Sequence, residues 1–342
     1  DRLGRKPMLL TGLAIFLAGA VISALMPTFG GLLFGRMLWG LGASAPRSLA
    51  IAMVRDSQHG EQMARTMSLA MAVFLLVPIF APTLGQVLIS FGPWRIVFWV
   101  PAVAALLLVV WIWRRLPESL PVERRRSVSP RALGVAFREV LRSRQTVLLG
   151  LAATFLYGAM TSFLTNSEIV VEDVFGRGDI FALLFGLIGI TLAAGSLSNA
   201  NFVHRLGLVR MLRLNAIMIV AAGVVIFAVT RIDGGHPPLW LFWLAVALFM
   251  PSAAMANPNC NTAAMLPVPH VAGMAAAVIG AIATAGGAVL SSVVDGAFDG
   301  SVAPFGTFAL VYVVAAAVCI LAAIRQPAVF ARTTVITVAD AH

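Results

Sequence analysis

Residues 304–324 read PFGTFALVYVVAAAVCILAAI, a stretch without a single charged side chain. A helix needs about 20 apolar residues to cross the hydrocarbon core of a bilayer, so this stretch is long enough. A spanning backbone finds no water to bind and must therefore be helical. Nine similar stretches precede it, at residues 8–26, 30–54, 66–90, 94–113, 146–166, 180–203, 209–230, 239–262 and 271–294. We therefore predict an all-α polytopic membrane protein with ten spans.

The composition of the chain leads to the same prediction. Hydrophobic residues make up 60% of the 342 residues and charged residues only 11%, with a mean hydropathy of +0.95. A soluble domain carries about 25% charged residues, so a soluble enzyme is excluded. The two cysteines, Cys260 and Cys319, lie in apolar stretches and indicate neither a disulfide framework nor a metal site.

The basic residues predict which side of the membrane each loop occupies. If the N-terminus is cytoplasmic, the inside loops contain nineteen lysines and arginines, and the outside loops contain only Arg95, Arg177 and Arg231. This excess is the positive-inside pattern, so both chain ends are predicted to be cytoplasmic. The formal charge of +10 belongs to these membrane-flanking loops, and we predict no nucleic-acid partner. Arginines outnumber lysine twenty-three to one, a bias typical of a GC-rich bacterial genome.

One long basic loop, residues 114–145, divides the chain. It contains nine arginines and is predicted to be a cytoplasmic linker. Four spans precede it in a first bundle, residues 1–113. Six spans follow it in a second bundle, residues 146–324, and residues 325–342 form a cytoplasmic tail.

Two short loops suggest that the two bundles are repeats. The chain starts with DRLGRKPML at residues 1–9, and HRLGLVRML occurs at residues 204–212. Both have R-L-G at the same offset and M-L at the start of the next helix, although basic turns can also match by chance. Two spans separate the linker from the second loop. If the bundles are repeats, two spans also belong before Asp1, and the ten spans are part of a twelve-helix protein.

The first loop resembles a signature of the major facilitator superfamily of transporters. The signature ends in D-R-x-G-R-K, and the residues that match it are Asp1, Arg2, Gly4, Arg5 and Lys6. The stretch GRMLWGLGASAPRSLAIAMVRD, residues 35–56, resembles the fourth-helix motif of the Bcr/CflA drug-resistance subfamily, with Trp39 where that subfamily usually has glutamine. The resemblance implies ten of the twelve helices of a major-facilitator-type bundle. It also implies that the loop gates transport, whereas the alternative is a basic loop that only sets topology.

A third stretch, VPIFAPTLGQVL at residues 77–88, resembles the antiporter signature of the fifth helix. Pro78, Pro82 and Gly85 lie on one helical face, and two prolines remove backbone hydrogen bonds and bend a helix. The resemblance implies a bent helix that restricts leak and sets antiport. A generic kink is the alternative.

Two arginines fall within the second predicted span. A charge at the bilayer centre costs at least about 2.5 kcal/mol, so Arg36 needs a partner or a water-filled cavity. Positions 36, 40, 43 and 47 share one helical face, on which small residues would let a neighbouring backbone approach. We predict that Arg36, Trp39, Gly40 and Arg47 line the cavity or take part in coupling. A structural ion pair or snorkelling to the interface is the alternative.

Polar residues of the second bundle leave two interpretations open. Asparagines cluster near its inner end, and they either hydrogen-bond between helices or line the pathway: Asn199, Asn201, Asn257, Asn259 and Asn261. We favour packing. Proton antiport needs a carboxylate within the membrane, but Glu168 and Asp295 fall at outer helix ends. In many relatives the key acid lies on the first helix, which is absent from these ten spans.

These observations together predict an exporter of small, largely lipophilic compounds, driven by the proton gradient through alternating access. No Walker loop, nucleophile–base pair or metal cluster occurs in the sequence, so an ATP-driven pump or an enzyme is not expected, and no cofactor is implied. The expected partners are a small-molecule substrate, protons and the lipid bilayer, and the expected state is a monomer in the bacterial inner membrane. The alternatives are a transporter of one specific metabolite and a truncated remnant that does not transport.

Overall fold

A computed structural model describes residues 4–57, 62, 63, 66, 70, 77, 81, 84–118 and 130–325 of the chain. The chain divides into two compact units, residues 1–129 and residues 130–342. The described residues are helical between short turns, and they include no strand. The predicted all-α class is therefore confirmed.

The first unit contains three long helices in its described part: α1 (Arg5–Leu25), α2 (Phe29–Ser57) and α3 (Ile96–Arg115). Residues 84–90 are helical as well. Helix α1 packs against both α2 and α3 and so forms the centre of this group. Its buried side is lined with small residues and leucines, which is why two neighbours can approach it.

Helices α1 and α2 cross with their backbones in direct contact. A Cβ atom added to Gly42 would lie 2.2 Å from the backbone nitrogen of Phe16, and one added to Gly19 would lie 2.3 Å from that of Trp39. Gly35 is equally confined by the α1 backbone. Only glycine leaves room for so close an approach. In a bilayer the hydrophobic effect does not drive helices together, so close packing of this kind is what stabilises their association. This contact fixes where Trp39 lies relative to α1.

The second unit contains seven long helices among its described residues. They are α4 (Pro130–Arg142), α5 (Arg144–Ile169), α6 (Phe181–Leu206), α7 (Leu208–Val229), α8 (Leu239–Met265), α9 (Ala272–Gly296) and α10 (Ala303–Ile324). Helix α5 lies at the centre and packs against α8, α9 and α10. Helix α8 also contacts α6 and α7, and α7 contacts α10. The core is therefore built around α5 and α8, whose side chains include the fully buried Leu149, Leu156 and Phe249.

Eight described helical segments are long and apolar enough to cross a membrane, and they correspond to eight of the ten predicted spans. The predicted span 30–54 is helix α2, which is not among those eight. The predicted span 66–90 lies largely outside the described residues. The prediction of a polytopic membrane protein is thus confirmed.

The glycines of the two loops that suggested a repeat have similar backbone conformations. Gly4 precedes α1 with φ 93° and ψ 166°, and Gly207 precedes α7 with φ 76° and ψ 156°. This region of backbone space is essentially open to glycine alone. The matching R-L-G letters therefore mark the same turn in both units, which supports the repeat over a chance match.

The predicted linker, residues 114–145, contains a helix that the sequence analysis did not anticipate. Helix α3 ends at Arg115, and α4 covers Pro130–Arg142 and belongs to the second compact unit. Pro130 is the first residue of α4. At this position a backbone N–H would have no partner within the helix, so proline costs no hydrogen bond. With 13 residues, α4 is too short to span a bilayer.

Candidate functional site

The described part of the loop that was predicted to gate transport forms a clamp between the start of α1 and the end of α3. The Glu118 carboxylate accepts the backbone N–H of Arg5 at 2.8 Å and that of Lys6 at 3.2 Å. The Lys6 ammonium in turn donates to the carbonyl of Trp113 at 3.0 Å. A carboxylate thus lies at the positive end of α1, and a cation at the negative end of α3. Both contacts are favourable to the helix dipoles.

Two of the five predicted loop residues, Asp1 and Arg2, lie outside the described residues, while Gly4, Arg5 and Lys6 belong to the clamp. The sequence analysis missed Glu118, whose bond to Arg5 joins residues 113 positions apart. Two features of the sequence could have indicated Glu118: it follows the end of α3 by three residues, and the first turn of α1 contains no acidic residue.

Arg36, for which a partner or a water-filled cavity was predicted, lies beside an aromatic ring. Its guanidinium carbon lies 5.4 Å from the ring centroid of Trp39, a cation–π distance. The Trp39 ring meets Phe16 of α1 at 5.3 Å and Phe98 of α3 at 5.6 Å, edge to face in both contacts. Tryptophan at this position therefore joins three helices and holds a cation, which the usual glutamine could not do in this way.

The face of α2 predicted to line a cavity is exposed in the first unit. Arg36, Gly40 and Ala43 are all exposed, and a Cβ atom at Gly40 would meet nothing within 4 Å. The close backbone approach expected at this face lies instead on the face of Gly35 and Gly42. The face that carries Arg36 therefore remains open to a ligand or to lipid.

The remaining predicted residues of the first unit are described only in part. Arg47 belongs to α2, but its side chain lies outside the described set, as do Pro78 and Pro82 altogether. Gly85 is helical and has open space beside it. The bend predicted from the two prolines thus falls on residues outside the described part of the chain.

Three buried asparagines join three helices of the second unit. The Asn259 amide of α8 donates to Asn199 of α6 at 2.8 Å and to Asn215 of α7 at 3.3 Å, and Asn199 donates back at 3.2 Å. All three are at most 7% exposed. The packing interpretation is therefore correct for Asn199 and Asn259. Sequence reasoning did not select Asn215, because it is a lone asparagine in α7.

Within the described part of the chain, the other clustered asparagines make no hydrogen bond to a second helix. The Asn261 amide donates to the Asn257 side chain at 2.8 Å within α8, and Asn201 is exposed near the end of α6. A spacing of four residues in one helix brings such side chains together without a neighbouring helix.

A second polar contact lies at the opposite end of the same unit. The Asn166 amide of α5 donates to the Asp295 carboxylate of α9 at 2.5 Å, and the hydroxyls of Thr165 and Ser291 bond across the same helix pair at 3.0 Å. Among the described helices of the second unit that can span a membrane, the carboxylates Glu168 and Asp295 both lie in the last turn of their helix. Both carboxylates therefore lie at helix ends, where the sequence placed them.

Residues 1–291 match the sequence model of the family described as the Major Facilitator Superfamily. The chain belongs to this superfamily. It is a multi-pass membrane transporter of that type, and the resemblance noted in its loop motifs is confirmed.

Several bacterial relatives match this superfamily member over most of its length. It is 29% identical over 317 residues to the uncharacterized MFS-type transporter YdgK of Bacillus subtilis. The aligned region covers 91% of this chain and 77% of YdgK. It is 28% identical over 298 residues to a bicyclomycin resistance protein homolog of Haemophilus influenzae, with coverage of 86% and 73%. The multidrug resistance protein MdtL of Escherichia fergusonii is 29% identical over 197 residues, which is 56% of this chain and 49% of MdtL.

Solved structures of the superfamily have the same fold. A mutant of the peptide transporter POT in complex with alafosfalin superposes with a TM-score of 0.73 at 14% identity, covering 94% of this chain and 80% of that one. The human organic anion transporter MFSD10 gives a TM-score of 0.61 at 21% identity, with coverage of 95% and 77%. At these identities the likeness establishes the fold alone.

Proposed function

We propose that this chain exports small, largely lipophilic compounds in exchange for protons. The observation that carries the proposal is its similarity to the bicyclomycin resistance protein homolog over 86% of its length. The similarity to a multidrug resistance protein points in the same direction. Export is the direct way in which a membrane transporter can make a cell resistant. The exposed Arg36–Trp39 pair supports the proposal, because a cation on an aromatic platform offers both a charge and an apolar surface to a ligand.

The proposed mechanism is alternating access, in which two bundles rock around a substrate site near the bilayer midplane. The clamp of Glu118 on the start of α1 is the proposed control point of the gating loop. The carboxylate accepts the backbone N–H groups of Arg5 and Lys6, so its loss would release the start of α1 from the end of α3 except for the Lys6–Trp113 bond. Asp1 and Arg2 are proposed members of the same loop.

The proposed energy source is the proton gradient, without a bound cofactor. Arg36 is the proposed coupling cation, because a charge at this place in α2 can respond to a proton bound elsewhere or to the substrate. Pro78, Pro82 and Gly85 are the proposed antiport helix. We further propose that the protein is a monomer in the bacterial inner membrane with both chain ends in the cytoplasm, as the arginines in its loops favour.

The test is drug efflux from bacteria that lack their own major exporters. Cells expressing the 342-residue chain, alone and together with any in-frame upstream coding segment, are loaded with ethidium, and its loss is followed by fluorescence. Growth is measured on bicyclomycin in parallel. We expect faster ethidium loss than in cells with empty vector, and we expect a proton uncoupler to abolish the difference.

Two arginines provide a matched pair for this assay. Arg36 lies 5.4 Å from the ring of Trp39, and Arg95 lies 4.5 Å from the ring of Trp94 in a predicted outside loop. Arg36→Gln is expected to lower efflux at least tenfold, and Arg95→Gln to leave it within twofold at equal membrane expression. Equal losses in both variants would contradict the role given to Arg36. Efflux that ignores the uncoupler would contradict proton coupling.

Transport of one specific metabolite is the alternative supported by Trp39. The ring is fixed by Phe16 and Phe98, which makes the site less adaptable than a flexible glutamine would. Trp39→Gln separates the two functions. Gain of ethidium efflux in this variant, with none in the parent, would favour the specific transporter.

A further inference from the structure

Helices α4, α5 and α9 enclose an apolar groove that none of the functions above uses. Its volume is about 340 Å³, and its walls include Leu141 of α4, Val147 and Leu151 of α5, and Val278 and Ile282 of α9. This volume includes space that is open to the surroundings, so the groove is a surface feature and not an enclosed pocket.

The groove offers apolar contacts and almost no hydrogen bonds. Its one polar wall residue, Thr146, donates its hydroxyl to the carbonyl of Ala264 at 2.8 Å. The wall residues Val140 and Ile279 are only 1% and 3% exposed, whereas Leu141, Leu151 and Ile282 are 40–46% exposed. The groove is thus closed on its inner side and open along the surface. This shape suits a hydrocarbon chain that enters from the surrounding bilayer.

The groove lies close to one end of its helices. Helix α5 begins at Arg144, and its wall residues are those at positions 146–151. At 1.5 Å per residue, they lie within about 10 Å of the helix start. Because α5 is long and apolar enough to cross a bilayer, its start is expected at the level where acyl chains join their headgroups, and the groove with it.

Positive charge is concentrated next to this groove. Arg131, Arg138 and Arg142 lie seven and four residues apart on one face of α4, and Arg144 follows at the start of α5. All four are exposed. The acid of α4, Glu139, pairs with His270 at 2.7 Å. Among the described residues no carboxylate pairs with the four arginines, so the cationic face of α4 is uncompensated.

Helix α4 itself has the pattern of a helix that lies at a membrane surface. Leu133, Phe137 and Leu141 form a row at intervals of four residues, flanking the buried Val140, and each of the three is 43–46% exposed. A helix with one cationic and one apolar face binds at the boundary between headgroups and acyl chains. Arginines in such a helix attract anionic headgroups.

We propose that α4, α5 and α9 form a binding site for an anionic phospholipid. The phosphate-bearing headgroup lies on the arginines of α4, and an acyl chain lies in the groove. Phosphatidylglycerol has both parts of this chemistry, whereas phosphatidylcholine has the acyl chains but no net charge. The site does not depend on the direction or the substrate of transport.

The test is native mass spectrometry of the full chain, released from micelles that contain equal amounts of phosphatidylglycerol and phosphatidylcholine. We expect the wild type to retain phosphatidylglycerol preferentially. Arg138→Gln with Arg142→Gln should weaken retention of this lipid about 30-fold, as the product of roughly fivefold for each arginine. The matched control, Arg205→Gln with Arg213→Gln, removes two exposed arginines outside α4 and should change it less than threefold.

Two further variants separate lipid binding from misfolding. Arg138→Lys with Arg142→Lys keeps the charge and should restore retention. Val147→Phe fills the groove and should reduce retention of phosphatidylglycerol, whereas Val224→Phe, at an exposed valine of α7, should not. Equal retention of the two lipids by the wild type, or equal effects of the two glutamine pairs, would overturn the proposal.

Discussion

The asparagine triad of the second unit should contribute measurably to stability, and Asn259→Leu is the change that tests this. Leucine has the same branched outline and the same number of side-chain heavy atoms as asparagine, although it is larger, so the substitution removes hydrogen bonds without leaving a cavity. It eliminates the three side-chain bonds that join Asn259 to Asn199 and Asn215. The two remaining amides then stay buried, at 7% and 0% exposure, without this partner.

The magnitude follows from the number of bonds lost. Side-chain hydrogen bonds between membrane helices contribute about 0.6 kcal/mol on average and up to about 1.7 kcal/mol each. Three such bonds give about 2 kcal/mol, with an upper bound of about 5 kcal/mol. By the scaling of domains of this size, about 2 kcal/mol lowers Tm by roughly 4–8 °C.

The chain contains its own reporter for this measurement. Cys260, next to Asn259, is 0% exposed, so its thiol reacts with a fluorescent maleimide only after unfolding. Cys319 is partly exposed and is replaced by alanine in all variants. The purified protein is heated in detergent micelles, and Tm is read from the rise in fluorescence.

Asn261→Leu is the matched control, because it makes the same change two residues away in the same helix. Asn261 bonds only within α8, to Asn257, and is partly buried. We expect its Tm to fall by less than about 2 °C. Equal shifts for Asn259→Leu and Asn261→Leu, or no shift for Asn259→Leu, would refute the reasoning that the triad holds α6, α7 and α8 together.

Three other changes have defined expectations. Gly42→Ala should destabilise the first unit by about 1–3 kcal/mol or more, because the added Cβ would lie 2.2 Å from the α1 backbone. Gly40→Ala, in open space on the same helix, should be neutral or slightly stabilising. The yield of monodisperse protein in detergent distinguishes the two variants. Gly207→Ala should cost about 1–3 kcal/mol through its φ of 76°, measured as a lower Tm, and an unchanged Tm would contradict the strain. The Ser301 hydroxyl and backbone N–H hold the pKa of Asp299 below its usual value of 3.8. The contribution of this carboxylate to folding stability is therefore complete above about pH 4 and is lost as the pH falls further. Asp299→Asn should lower Tm more at pH 7 than at pH 3, and equal shifts at both pH values would contradict this.

The sequence predicted the spanning helices well because a span needs only a long apolar run, and this property is local. Helix α4 was missed for the same reason: its 13 residues alternate between arginines and apolar residues, so no apolar run reveals it. The turns at Gly4 and Gly207 could be related from the letters R-L-G, because only glycine adopts that backbone.

The candidate site was predicted less completely, because its contacts join distant residues. The prediction that Arg36 needs a partner followed from the cost of a buried charge. That the partner is Trp39, fixed by rings from α1 and α3, depends on how three helices cross. For Glu118 the sequence offered only an acid shortly after α3, since its role arises only when the end of α3 lies beside the start of α1.

The sequence by itself determined that this chain is a helical membrane protein, where most of its spans lie, and which transporter superfamily it resembles. Transfer of an apolar run into lipid depends on that run alone, so hydropathy is sufficient for it. Only the tertiary structure decided which backbones touch at Gly19 and Gly42, which asparagines bond, and where the arginines of α4 meet an apolar groove. These features are contacts between helices, and the free energy of a contact depends on both partners and on the space between them.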